Sequence, residues 1–384
     1  MKACGVIAEY NPFHNGHRYQ LAAARKKSQA EVMIVVMSGN FLQRGEPAIM
    51  DKWARTQAAL KNGADLVIEL PTHWSLQAAD FFARGGVRLL ASLQCDTLAF
   101  GTDHKETFDY EKFGNFFNKN KAEIDHLFKQ IQAPELTYAQ KMSQVLQKMS
   151  PELNFTQAQP NHILALTYAQ ENARLIKPMK MCPIKRIQAS HNSTEIKGEI
   201  ASATAIRKAL QQARSIQRLV PQETNRQLTD YQVSWDNYWP FLRYRILSSS
   251  TDQLKQIYQM VEGLEFRLKS KILQAHSFTE YVDLVKSKRY TLSRIQRLLT
   301  YVLLDIRQEE MESSWQNDYL HLLGFTKIGQ KYLQENKKQF ELPLVSKFGR
   351  KESQAYALNV KADHIYQLGD KNICEQTFAR FPIK

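Results

Sequence analysis

Residues 31–37 read EVMIVVM, in which six apolar side chains follow one another and four of them are β-branched. A strand with one wet face alternates apolar and polar residues. An unbroken apolar run of this length suits a strand buried on both faces, as in a parallel sheet covered by helices on either side. Compact apolar runs recur at 3–10 (ACGVIAEY), at 65–70 (DLVIEL, closed by Pro71) and at 96–100 (DTLAF). Helical patterns alternate with them: 17–27, with an apolar face through Leu21 and Ala24; 52–62, where Gly63 is a natural stop; and 74–93. This rhythm predicts an α/β fold with a Rossmann-like, doubly wound parallel sheet. Residues 179–187 (MKMCPIKRI) are expected to form a fifth strand, and 202–213 a helix capped by Ser202. Residues 104–175 look mostly helical. After Pro221 the rhythm changes to long amphipathic helical patterns over 240–310. We therefore expect a catalytic domain over 1–220 and a mainly α-helical, basic domain over 221–384, whose short mixed tail can pack back on the first.

The net charge of +14 needs a partner. About nine of the fourteen excess positive charges lie beyond residue 200, and a basic surface attracts polyanions, nucleic acid first among them. Cys4, Cys95, Cys182 and Cys374 are scattered, with no Cys-x-x-Cys pair. That pattern points to reduced thiols rather than a disulfide framework or a zinc site. No apolar run approaches ~18 residues, and the N-terminus enters a strand without a leader-like core. The expectation is a cytoplasmic protein with no membrane span, no bound metal cage and no stable protein partner.

The sharpest local feature is Glu9-Tyr10-Asn11-Pro12-Phe13-His14-Asn15-Gly16-His17, placed where the first strand ends and the first helix begins. In an open parallel sheet ligands bind at such strand ends, near the point where strand order reverses. A helix N-terminus offers free N–H groups to phosphate, Gly16 lets the backbone come close, and two histidines three apart can aim ring N–H donors at phosphate oxygens. A bare His-x-Gly-His is a weak signal, since histidines also cap surface helices; its position gives it weight. A second loop-to-helix junction, Ala201-Ser202-Ala203-Thr204-Ala205-Ile206-Arg207, offers the hydroxyls of Ser202 and Thr204 and the forked donors of Arg207. Its bland alternative is a Ser N-cap on a surface helix.

At this point the chain resembles a known family. His-x-Gly-His near the start and Ser-x-Thr-x-x-Arg near the end of the first domain are typical of the nucleotidyltransferase superfamily. GVIAEYNPFHNGHRYQL (5–21), MSGNFLQRGEPAIMDKWARTQAAL (37–60), GADLVIELP (63–71) and LAFGTD (98–103) are similar to the bacterial tRNA(Met) cytidine acetate ligases, as are later segments across most of the chain. The resemblance implies ATP and acetate as substrates, Mg²⁺ accompanying ATP, and elongator tRNA(Met) as the partner whose wobble cytidine becomes N4-acetylcytidine. It implies an ATP site formed by Ile7, Ala8, Glu9, Tyr10, Asn11, Pro12, Phe13, His14, Asn15, Gly16, His17, Arg18, Tyr19 and Gln20, joined by Gly101, Asn161, Lys185 and Arg186. With Ser202 and Thr204 added from the second junction, His14, His17 and Arg207 are the expected catalytic groups. The family often has two consecutive Asn where this chain has Asn161-His162.

Other constellations carry weaker signals. The polar loop 38–47 follows the second strand and suits a lid or an acetate pocket, with Arg44 near phosphate or RNA. Asp65 and Glu69 read as locally paired strand-end charges more than as a catalytic pair. Asp103 suits either a ribose contact or the orientation of the incoming amine, and His191 is either a phosphate ligand or an exposed loop residue. Lys286, Lys288, Arg289, Arg294 and Arg297 gather around Tyr290, a pattern that suits RNA backbone contacts with base stacking; the alternative is a solvated basic helix face. Trp235, Tyr238, Trp239 and Phe241 are read as domain packing. Two other functions fit parts of the pattern: a small-molecule adenylyltransferase of the coenzyme-biosynthesis type, and a non-catalytic tRNA-binding protein.

Overall fold

The computed structural model describes residues 1–384 apart from 104–107, 134–135, 137, 151–159, 187–197, 262 and 288. Seven strands form one sheet: β1 (Ala3–Ala8), β2 (Val32–Ser38), β3 (Leu66–Leu70), β4 (Thr97–Thr102), β5 (Lys180–Lys185), β6 (Leu320–Phe325) and β7 (Leu344–Val345). Their order is β5-β4-β1-β2-β3-β6-β7. The first five are parallel, β6 runs antiparallel to β3, and β7 pairs parallel to β6.

The apolar run 32–37 lies at the middle of this sheet, and every residue of β2 is buried. Its side chains alternate between two cores, as the pleat requires. Val32, Ile34 and Val36 enter one core, with helices Ala79–Ser92 and Pro160–Asn172. Met33, Val35 and Met37 enter the other, with helices Asn15–Ser28 and Lys52–Lys61. The chain adds strands in one direction from β1 to β3, then crosses back to place β4 on the other side of β1. The reversal point therefore lies between β1 and β4, and the loop after β1 opens directly onto it.

A third core fills the helical region around Trp235, Tyr238, Trp239, Leu268, Tyr281 and Leu299, and Phe41 and Leu76 from the first half insert into it. Phe241 is not part of this packing and is 40% exposed. The sheet is mostly parallel, as expected, but β6 is an addition that the sequence reading did not anticipate. LHLLGF is a short apolar run, and periodicity alone does not separate such a run from a turn of buried helix.

A cluster of buried charge ties the last part of the chain to the sheet. Lys52 Nζ donates to Glu69 at 2.9 Å and to Asp363 at 2.5 Å. His321 Nδ1 meets the Glu69 carboxylate at 2.5 Å, and Asn40 donates to Asp363 at 2.9 Å. The four ionisable groups are almost fully buried, and they join helix 52–61, β3, β6 and helix Ala357–Gln367. Asp65 is likewise paired locally, with Arg25 at 2.5 Å.

Candidate functional site

Beyond β1 the chain turns sharply at Tyr10, whose φ of 53° lies in the left-handed region, a conformation that costs a side-chain-bearing residue about 1–2 kcal/mol. Tyr10 and Phe13 are core residues, and both rings pack against His17. His14 is the N-cap of helix 15–28, with extended backbone. Its Nδ1 accepts from the Gly16 N–H at 3.0 Å, while His17 Nδ1 accepts from the His14 N–H at 3.3 Å. A Cβ on Gly16 would sit 2.8 Å from the His14 ring, so only glycine permits this cap.

The reciprocal bonds fix the tautomer of both rings. With Nδ1 accepting, a neutral imidazole carries its proton on Nε2, so each histidine keeps one outward donor. The rings stack with centroids 3.7 Å apart. Burial pulls the pKa of His14 down to about 3, helped by Arg186 and Arg207; burial and then His14 itself depress His17. The pair is therefore neutral at physiological pH and supplies hydrogen bonds rather than charge.

Charge comes from neighbouring elements. The cleft over the histidines is lined by His14, Gly16, His17, Tyr19, Gln20, Gly101 at the end of β4, Ile184, Lys185 and Arg186 at the end of β5, and Ile200 and Ala201 before helix Ala203–Gln211. Asp103 accepts from Asn161 Nδ2 at 2.5 Å and forms an ion pair with Arg186, whose Nε lies 3.0 Å away, so it positions two of the expected ATP contacts. Among the described residues Lys185 has no ion-pair partner. Arg207 donates to the Asn11 carbonyl at 2.8 Å and approaches Glu46 at 3.5 Å.

The remaining expected residues support this cleft more than they line it. Ile7 is in the core and Pro12 is buried, with Ala8 and Glu9 half-buried. Asn11 Oδ1 accepts from the Ile49 N–H, and Asn15 Nδ2 donates to the carbonyls of Glu199 and Arg218. Ser202 caps its helix by accepting from the Ala205 N–H. Arg18 and Thr204 are exposed and outside the lining. His162 packs away from the cleft, with Nδ1 2.9 Å from the Tyr110 hydroxyl, so the departure at 162 falls in core packing. His191 and Lys288 lie outside the described residues.

The loop 38–47 is not a free lid. Trp235 and Thr300 both donate to the Gly45 carbonyl, at 2.8 and 3.1 Å, and Arg297 donates to the Gln43 carbonyl at 3.2 Å. Gly45 has φ 77°, and a Cβ there would lie 2.3 Å from the Arg297 nitrogen. On the other side, Gln43 N–H donates to Glu9 at 2.7 Å. The sequence reading missed Arg55, which is wholly buried and donates to the carbonyls of Glu9, Ser38, Gly39 and Met50. One guanidinium thus holds the segments after β1 and β2 together; its only sequence signal was membership of the conspicuous 37–60 block.

The expected RNA contacts separate. Arg289 and Arg294 bracket the Tyr290 ring at 5.9 and 4.8 Å, and Lys286 is exposed beside Asp283. Arg297, expected on the same face as Arg294, is only 8% exposed. It sits on the flank of helix Leu292–Leu303 that packs against loop 38–47, so its place is an interior one.

This geometry has close relatives. The HIGH Nucleotidyl Transferase family model matches residues 1–380. The tRNA(Met) cytidine acetate ligase of Latilactobacillus sakei is 43% identical, covering 100% of this chain and 97% of its own. That of Streptococcus pneumoniae D39 is 43% identical, covering 100% and 99%. The crystal structure of Thermotoga maritima TmcAL in its apo form superposes with a TM-score of 0.91 at 28% identity, covering 100% of this chain and 99% of the other; the form bound with alpha-thio ATP gives 0.88 over the same shares. With its reciprocal histidine cap at the sheet's reversal point, the chain belongs to the tRNA(Met) cytidine acetate ligases of the HIGH nucleotidyl transferase family.

Proposed function

We propose that this chain is an ATP-dependent ligase that activates acetate as acetyl-adenylate and transfers the acetyl group to N4 of the wobble cytidine of elongator tRNA(Met), working in the cytoplasm. The reading is carried by the His14–His17 cap. Two neutral imidazoles with fixed Nε2–H donors, set among Lys185, Arg186 and Arg207, suit a triphosphate whose pyrophosphate end gains charge as it leaves. In the first step an acetate oxygen attacks the α-phosphorus, and the bond to the β-phosphate oxygen breaks. The cations reduce repulsion between the two anions, and positioning supplies much of the rate.

Among the described residues no group of three or more His, Cys, Asp or Glu gathers as a metal cage, and Asp103 is engaged with Arg186 and Asn161. Mg²⁺ would accompany ATP, held chiefly through its phosphates and water. Among the described residues no helix is long and apolar enough to cross a membrane. The RNA face lies on Lys286, Arg289 and Arg294 around Tyr290, where guanidinium and ring together suit phosphate and base. The decisive test is nucleoside analysis of tRNA incubated with the protein, ATP and labelled acetate. Label in N4-acetylcytidine is expected; a protein that catalyses no acetate-dependent ATP–pyrophosphate exchange overturns the reading.

A further inference from the structure

Acetyl transfer requires one base of an RNA loop to leave its stack and bring N4 into a cleft that holds an adenylate. A single-stranded loop can splay a base outward, but its phosphates then approach the adenylate phosphate, anion against anion. A cation at the mouth of the cleft lowers that repulsion, and it fixes the nucleotide only if the backbone beneath it is held. The histidine cleft and the Tyr290 group are carried by different elements, and the turn 42–46 lies between them.

That turn is tied to both. It closes on itself, with Leu42 N–H donating to the Glu46 carbonyl at 2.9 Å and Gly45 N–H to the Leu42 carbonyl at 3.0 Å. Toward the cleft, Gln43 N–H is bound to Glu9, just beyond β1. Glu46 approaches Arg207, which holds the Asn11 carbonyl. Toward the helical region, the Gly45 carbonyl receives Trp235 and Thr300, and the Gln43 carbonyl receives Arg297. Gly45 also lies so close to the backbone of Gln296 and Arg297 that no Cβ fits between them. Arg294 precedes Arg297 by three residues, about 4.5 Å along the helix axis, and its guanidinium sits over the Tyr290 ring.

Residues 43, 45 and 46 are therefore all anchored, and Arg44 stands exposed among them. Its guanidinium makes no hydrogen bond or ion pair among the described residues. The neighbouring arginines are used differently: Arg55 holds four backbone carbonyls, Arg297 holds that of Gln43 and Arg207 that of Asn11. Burial raises the pKa of the Glu9 carboxyl, and Arg44 is one of the charges that oppose this, so the guanidinium lies near the end of β1. A fixed backbone carrying an uncommitted forked cation suits bidentate recognition of a phosphate.

We propose that Arg44 anchors the target nucleotide, gripping the RNA phosphate beside the wobble cytidine and continuing the surface of Lys286, Arg289, Tyr290 and Arg294 inward to the histidine cleft. The outer residues supply attraction along the RNA backbone, and Arg44 sets how far the cytidine enters. The assignment rests on the acetate-ligase reading given above.

Binding of elongator tRNA(Met) across a salt series, without nucleotide, tests the contact. Arg44→Ala should bind about tenfold more weakly, with a salt slope lower by about 1, whereas Arg44→Lys should keep the slope. Single-turnover acetyl transfer at saturating tRNA tests the position. It should slow about 10²-fold in Arg44→Ala and recover only in part in Arg44→Lys, whose ammonium lacks the fork. Arg294→Ala, farther out, should raise the tRNA concentration required more than it slows transfer at saturation. Arg44→Ala with parental affinity and salt slope overturns the assignment, and so does weakened binding with undiminished transfer at saturation. A parent protein that binds tRNA but forms no N4-acetylcytidine overturns the ligase reading instead, and the salt series still decides whether Arg44 contacts RNA.

Discussion

One group of ionisable side chains sits at the sheet's reversal point and another lies away from it, around β3 and β6, and they are built on opposite rules. At the Lys52–Glu69–Asp363–His321 cluster every charge meets a partner within the protein. At the histidine cleft the cations exceed the anions, and the two imidazole Nε2 donors have no protein acceptor among the described residues. Both are expensive arrangements. The first offsets desolvation internally and so fixes the positions of four chain segments; the second leaves the offset to a ligand. A buried charge is thus a functional signal only when the protein does not complete its pairing.

This contrast can be broken by mutation. Lys52→Met strands Glu69 and Asp363 in the interior and should cost about 3–5 kcal/mol of stability in denaturant unfolding, while the folded fraction binds ATP normally. A loss below about 1 kcal/mol would show that the cluster is not a structural lock. His14→Ala should do the reverse. Acetate-dependent exchange should fall about 10²–10³-fold, stability should fall only by the loss of a cap, about 0.5–2 kcal/mol, and tRNA binding should stay nearly intact.

The two regions titrate with opposite signs. Asp363 is raised by burial, and then by Glu69, to about 7 from a usual 3.8. Its contribution is fully present below pH 3.8 and is lost as pH rises through about 7. His14 is lowered to about 3 from 6.5, so its contribution is present above pH 6.5 and is lost as pH falls toward 3. The stability gap between the parent and Asp363→Asn should widen as the pH drops from 7 to 4, and the gap between the parent and His14→Ala should narrow, each by on the order of 1 kcal/mol per pH unit. Parallel pH curves for both pairs would refute the distinction. The smallest effect belongs to the outer surface: Arg289→Ala and Arg294→Ala should each weaken tRNA binding and reduce its salt slope by about 1, whereas Arg297→Ala should leave that slope unchanged and lower stability instead.

Much of the catalytic half was legible in the sequence because its signals are local. An apolar run as long as 32–37 admits few positions in a fold, and a histidine pair immediately after a buried strand has little choice but to face the strand ends. The parts that escaped depend on distance or on helical phase. Lys52 and Asp363 are separated by 311 positions, and no spacing rule connects them. Arg294 and Arg297 share one side of a helix by periodicity, yet only the approach of Gly45 decides which of the two is covered. Arg55 looked like an ordinary helix residue because its four acceptors are backbone carbonyls, which leave no trace in side-chain identity.

The antiparallel seat of β6 beside β3 has a consequence for how the molecule is made. The chain leaves the sheet at Lys185 and re-enters it only at Leu320. Until residue 325 has emerged from the ribosome, β3 is an open rim of unpaired peptide groups bearing Leu, Val and Ile, the kind of edge that recruits another copy. A fragment ending at residue 220 would keep the whole histidine cleft and still be prone to self-association, because the strand that closes its sheet is encoded beyond it.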